Sequence, residues 1–293
     1  MTAIVWLWIL LPLLAIGLVA GAWYGSNTVF HPPRMLQHTV FPEQFGLHYE
    51  KISFPGSDGL ILRGWLIPAA SPTDRTILCT HGWGDNKGDL LQRLHFLAEH
   101  YNLVLFDSRA HGESEGAYST IGYLESFDFE AAVRHLKEVR PAWTRRLGVF
   151  GLSMGAAMAI HGMAHHPEFR CAALESPFRS FNRVVTQFTW SGYWLPYFPF
   201  AWITLLCIRL RLGADSEPYS PVHHIRGLPP LPLLFIAGEK DALMPLSEVR
   251  ALHDMAGEPK EIWVVPEATH GRCQEFAPEE YARRVLDFFR KNL

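Results

Sequence analysis

Polar and apolar positions divide the chain into two unlike parts. From Ile4 to Tyr24 the residues are almost continuously apolar, and no Asp, Glu, Lys or Arg occurs before Arg34. At about 1.5 Å per residue such a run is long enough to cross a bilayer. Trp6, Trp8, Trp23 and Tyr24 stand toward its ends, where interfacial aromatics collect. The pattern predicts a transmembrane anchor over residues 1–25. Its rival is a signal peptide cut after Ala20-Gly21-Ala22, a small-x-small site that lacks the usual positive n-region. Residues 26–45, with His31-Pro32-Pro33-Arg34 and Phe41-Pro42, read as an extended linker that proline keeps from helix.

Beyond the linker the pattern changes to short apolar runs that alternate with longer amphipathic stretches. Tyr49 to Phe54 and Ile61 to Ile67 flank the turn signal Pro55-Gly56-Ser57-Asp58-Gly59 and predict an antiparallel hairpin. Further runs follow at Ile77 to Thr80, Leu103 to Phe106, Leu147 to Phe150, Ala172 to Leu174, Leu233 to Ala237 and Ile262 to Val265. This alternation predicts an α/β domain over residues 46–293, with a mostly parallel eight-stranded sheet covered by helices on both faces. Residues 177–221 are too many for a simple connection and are rich in aromatics, among them Phe178, Phe181, Phe188, Trp190, Trp194 and Trp202. A cap over the site is expected there. The stretch from Trp190 to Ile208 carries no charge, which allows interfacial docking, whereas Pro196 and Pro199 would interrupt a second span.

The chemistry-bearing motif is Gly151-Leu152-Ser153-Met154-Gly155, set between an apolar run and the small-residue stretch through Ala156, Ala157 and Ala159. A tight strand-to-helix turn would lift Ser153 clear of the sheet, and side chains at the flanking positions would collide with neighbouring elements. The same turn sets the serine at a helix N-terminus, which favours developing negative charge. Asp241 and His270 each follow a later strand-like run. A serine hydroxyl is a poor nucleophile at neutral pH, so an imidazole must take its proton and a carboxylate must orient that imidazole. His270 is the expected base and Asp241 the orienter, with Glu175 as the rival acid.

These motifs carry a family resemblance. The Ser, Asp, His order, the Gly-x-Ser-x-Gly turn, His81-Gly82-Trp83-Gly84 and the stretch Asp107-Ser108-Arg109-Ala110-His111-Gly112-Glu113-Ser114 resemble the α/β-hydrolase superfamily. Within it the chain is similar to membrane-anchored serine hydrolases grouped with aminopeptidase-like and ABHD-type lipases and esterases. Ala110 replaces the glycine usual in the family's Asp-x-Arg-Gly-His-Gly-x-Ser turn. The resemblance implies an oxyanion hole made by the backbone amides of Trp83 and Met154, a loop-holding role for His81, and a structural network of Asp107, Arg109 and His111.

Composition narrows the partners. A net charge of −3 over 293 residues, with no basic block interleaved with aromatics, argues against nucleic acid. Four dispersed cysteines show neither a disulfide framework nor a zinc spacing. His161 and His165 stand one helical turn apart without an evident third ligand, and His165-His166 and His223-His224 read as surface pairs. No cofactor or metal is expected. Arg34, Lys51 and Arg63 follow the apolar run, which sets the catalytic domain on the cytoplasmic face of a single-pass protein. The expected activity is hydrolysis of hydrophobic carboxylic esters, monoacylglycerol- or lysophospholipid-like, with membrane lipid as partner. An amide or peptide hydrolase and a catalytically silent binding protein are the alternatives.

Overall fold

A computed structural model describes residues 2–33 and 39–293. Helix α1 (Thr2–Phe30) comes first, and its segment Trp8–Phe30 is long and apolar enough to cross a membrane. The helix runs past residue 25, so residues 26–30, expected as linker, are helical. No proline or charge falls between Trp23 and Phe30 to stop the helix, and the break comes at His31-Pro32-Pro33. Arg34 and its neighbours up to residue 38 lie outside the described residues.

Strands β1 (Glu50–Pro55) and β2 (Ile61–Ile67) form the expected hairpin. There follow β3 (Arg75–Thr80), α2 (Lys87–Leu94), β4 (Asn102–Phe106), α3 (Tyr123–Val139), β5 (Arg146–Leu152), α4 (Met154–His165) and β6 (Phe169–Glu175). The cap then contributes α5 (Phe181–Tyr193) and α6 (Trp202–Leu212). The chain closes with α7 (Pro221–His224), β7 (Leu233–Gly238), α8 (Leu246–Met255), β8 (Lys260–Val265), α9 (Cys273–Phe276) and α10 (Pro278–Asn292). The eight strands form one sheet in the order β1-β2-β4-β3-β5-β6-β7-β8. Strands β3 to β8 are mutually parallel, and β2 pairs antiparallel with both its neighbours.

Alternation along the inner strands feeds two cores. In β4, Val104 and Phe106 face α3 and α4, while Leu103 and Leu105 face α2 and α10. Burial on both faces explains why these strands read as continuous apolar runs. Each fully buried Leu or Phe contributes about 1.5–3 kcal/mol, so the register is strongly fixed.

The two cap helices meet at 120°, so they do not form one straight span. Helix α6 packs against α1. Arg211 near the end of α6 donates to Asn27 Oδ1 and to the Trp23 carbonyl, both at 3.1 Å, and its guanidinium lies 3.9 Å from the Trp23 ring centroid. Phe30 is buried, and its carbonyl accepts from the Ser119 amide at 2.7 Å. The last carbonyls of a helix have no partner within it. Here the globular domain supplies them.

Candidate active site

The turn after β5 is shaped by close packing. Ser153 has φ +50° and ψ −109°, a conformation costly for any residue with a side chain. A Cβ on Gly151 would come within 2.6 Å of Ala156 Cα, and one on Gly155 within 2.1 Å of the Thr80 carbonyl oxygen. Both contacts are with backbone, so glycine is the only residue that fits either position. The turn leaves Ser153 half-buried at the N-terminus of α4, with its amide donating to the Glu175 carbonyl at 2.8 Å.

The loops after β7 and β8 bring the other two groups to it. His270 Nε2 accepts from Ser153 Oγ at 2.9 Å, and His270 Nδ1 donates to Asp241 Oδ2 at 2.8 Å. The tautomer follows from these partners. Asp241 is buried, and its Oδ1 accepts from the Leu243 and Met244 amides at 3.0 and 2.7 Å, which leaves Oδ2 to the imidazole. Charge-assisted bonds of this kind are short and orienting.

Glu175, the rival acid, is elsewhere engaged. Its carboxylate accepts from the Tyr281 hydroxyl at 2.7 Å and the Cys273 amide at 3.2 Å, and it is fully buried. Its chemistry is that of a pin between β6 and the C-terminal helices.

The expected oxyanion donors flank the serine. Met154 is the first residue of α4, and Trp83 lines the cavity above Ser153. Neither amide has an acceptor among the described residues. Two histidines hold the loop that carries Trp83. His81 Nδ1 donates to the Gly82 carbonyl at 2.7 Å and its Nε2 accepts from the Ser108 amide at 3.0 Å. His111 Nε2 accepts from the Gly84 amide at 3.0 Å, with Nδ1 donating to the Arg109 carbonyl at 2.8 Å. Burial pushes His81 down to about 3, helped by the neighbouring His111, so both partners of a neutral ring are satisfied at neutral pH. Asp107 accepts from the buried Lys87 ammonium at 2.6 Å, and Arg109 pairs with Asp128 at 2.6 Å and Asp58 at 2.8 Å. These residues form the structural network expected of them.

Several site residues have no sequence signal. A cavity of about 120 Å³ opens over Ser153 and His270, and its walls include the cap residues Phe178, Val184 and Phe188. Thr28 and Val29 of α1 line it as well, and Trp83 Nε1 donates to the Val29 carbonyl at 3.1 Å. The N-terminal helix is therefore a wall of the site. A local run of apolar residues gives no hint of such a docking. The histidine cluster also differs from expectation. Glu130 of α3 lies 3.8 Å from His161 Nδ1 and 3.7 Å from His165 Nδ1, and the His224 ring centroid is 4.7 Å from that of His161. His161 is buried, because α3 and α7 close over its face of α4.

The geometry agrees with what the chain is similar to. Residues 93–293 match the model of the prolyl oligopeptidase family. YfhR of Escherichia coli is 31% identical over 251 residues, covering 82% of this chain and 80% of YfhR. Protein bem46 of Schizosaccharomyces pombe is 27% identical over 268 residues, 89% of this chain and 83% of bem46. Among solved structures, the Pyrococcus furiosus esterase Pf2001 superposes with a TM-score of 0.75 at 28% identity, covering 90% of this chain and 98% of the esterase. The chain thus belongs to the prolyl oligopeptidase family within the α/β-hydrolase superfamily, and it is a hydrolase.

Proposed function

We propose that this protein is a single-pass, membrane-anchored serine hydrolase that cleaves carboxylic esters of hydrophobic acyl groups, monoacylglycerol- or lysophospholipid-like. One observation carries the reading: an unbroken relay from Ser153 through His270 to Asp241, at 2.9 and 2.8 Å, opens into a cavity walled by apolar side chains.

The mechanism follows from these contacts. Ser153 Oγ attacks the acyl carbon while His270 Nε2 takes its proton, and the carbonyl π electrons move onto oxygen between the Trp83 and Met154 amides. Asp241 stabilises the imidazolium without accepting its proton. Collapse of the tetrahedral adduct breaks the acyl carbon–oxygen bond, and His270 returns the proton to the departing alcohol. A water molecule then attacks the acyl-enzyme with His270 again as base, which releases the carboxylic acid and restores Ser153.

Membrane attachment rests on α1 together with exposed aromatics on the cap. Trp194 is 78% and Phe198 69% exposed, as suits side chains that meet a lipid surface rather than water. Lys51 and Arg63 follow the span, and four buried free cysteines suit a reducing compartment, so the domain is assigned to the cytoplasmic face. A second reading, cleavage of amides or peptides, takes support from the matched family's name. The apolar cavity favours the ester, because a peptide would bring unpaired N–H and C=O groups against these walls. The test is fluorophosphonate labelling with turnover of monoacylglycerols and matched acyl amides. Labelling and ester turnover lost in Ser153→Ala support the proposal, and faster turnover of the amides overturns its substrate class.

A further inference from the structure

A second and larger cavity, about 480 Å³, lies between α1 and the cap. It shares Thr28, Val29, Val185 and Phe188 with the cavity over Ser153, so the two adjoin across these side chains. On α1 it runs from Leu13 to Val29, about 24 Å at the rise of a helix. Gly17, Gly21 and Gly25 lie along it at one-turn spacing, and a Cβ at any of them would meet nothing within 4 Å. The opposite side is made by α5 and α6 through residues such as Phe188, Tyr193 and Thr204, with Phe200 from the segment between them. At its far end Leu13, Leu14 and Tyr193 are exposed.

Building on the ester-hydrolase reading, we infer that this groove is the acyl-chain subsite, and that it admits lipid esters sideways from the bilayer core. The occupant follows from adjacency: a chain lying in the groove down to Val29 ends beside the cavity over Ser153, and the part of a lipid ester that begins at the scissile carbonyl is its acyl chain. The groove runs along the one described helix that is apolar enough to span a membrane, so a chain slides from lipid into protein without crossing water. The glycines keep that path open on the α1 side. The carbonyl reaches the Trp83 and Met154 amides while the tail still lies at the depth of Leu13 and Leu14.

The full chain in phosphatidylcholine vesicles, treated with a long-chain alkyl fluorophosphonate bearing a terminal diazirine, tests this. Illumination should crosslink the Ser153-bound chain to α1 near Leu13 and Leu14 or to the facing cap helices. Labelled Ser153 with crosslinks elsewhere, or with a second copy of the chain crosslinked across the groove, overturns the subsite. Absence of Ser153 labelling overturns the hydrolase reading and the subsite with it. Graded blocking gives an independent measure. Gly25→Leu should lower the ratio of long-chain to short-chain ester kcat/KM by at least about tenfold, with a cut-off at shorter acyl length than Gly17→Leu, which lies farther from Ser153. One cut-off for both variants, or an unchanged ratio in both, overturns the inference.

Discussion

The turn that carries Ser153 and the helix end that carries Val29 line the same cavity, but they are held in different ways. The turn is held by exclusion: backbone at Thr80 and Ala156 leaves no room for a Cβ at Gly155 or Gly151, and the serine is forced to positive φ. The helix end is held by the packing of Phe30 against Val185 and Ile208 and by contacts from distant residues, Trp83 to Val29, Ser119 to Phe30 and Arg211 to Asn27, with open space at Gly17, Gly21 and Gly25. Steric exclusion leaves a mark on the local sequence. Contacts made by distant residues do not, and the second wall could be found only in three dimensions.

The largest effect is expected at the turn. Ser153→Ala and His270→Ala should each lower ester kcat by about 10⁴- to 10⁶-fold while circular dichroism stays unchanged, and the double variant should lose no more than either alone. Near-normal turnover in a folded single variant would remove the relay. Next comes the choice of acid. Asp241→Asn should cost about 10⁴-fold in kcat by permitting the wrong imidazole tautomer. Glu175→Gln should leave kcat within a few-fold and instead lower stability by about 1–3 kcal/mol, because the Tyr281 hydroxyl and Cys273 amide lose a charged acceptor. A larger kinetic defect in the Glu175 variant than in the Asp241 variant would reverse their roles.

At the other wall the expected effect is smaller. Removal of residues 2–30, assayed in detergent on a soluble ester so that membrane delivery is not at issue, should lower kcat/KM by about 10- to 100-fold, since the oxyanion loop loses the Val29 acceptor for Trp83. Removal of residues 2–25 leaves Thr28, Val29 and Phe30 in place and should cost less. Equal activity of the two truncations would show that the helix end does not support the site.

The smallest effect concerns two buried histidines. Burial lowers His81 and His161 to about 3 in the folded protein, against about 6.5 for a free imidazole. Between those values each of these rings binds a proton in the unfolded chain but not in the folded one, so the stability that each contributes is full above about pH 6.5 and falls as pH drops toward 3. Against the parent chain, His81→Gln should remove about one proton from the pH dependence of the urea midpoint over that window. An unchanged pH dependence in the variant would mean that the His81 ring is not held neutral.

Much of the sheet could be read in advance because each inner strand is buried on both faces and so must be apolar throughout. All eight strands fall where their runs predict, with ends that shift by up to three residues, as at Phe169–Glu175, because pairing extends past the apolar centre. Ser153, Asp241 and His270 were legible for a related reason: each sits in a loop after one of those runs, and their bonds join loops that the fold brings to one sheet edge. The histidine brace of the oxyanion loop was partly legible through His81 and His111. The end of α1 at Phe30, the part played by Val29 and the approach of Glu130 to His161 and His165 depend on which surfaces meet after folding. Periodicity carries no record of that.

The bond from Trp83 to Val29 also sets a condition on how the enzyme must be kept whole. Residues 31–49 join the helix to β1, and a tether of this length holds the two ends at an effective concentration on the order of millimolar. At that concentration the packing of Phe30 against Val185 and Ile208, two hydrogen bonds and the Arg211 guanidinium over Trp23 suffice to seat the wall. A chain nicked within 31–49 would retain every contact described here but no longer the tether, and the helix would then bind as a separate ligand of modest affinity. Its activity would decline on dilution, which the intact chain would not do. Covalent continuity, more than the strength of any single contact, keeps this site assembled.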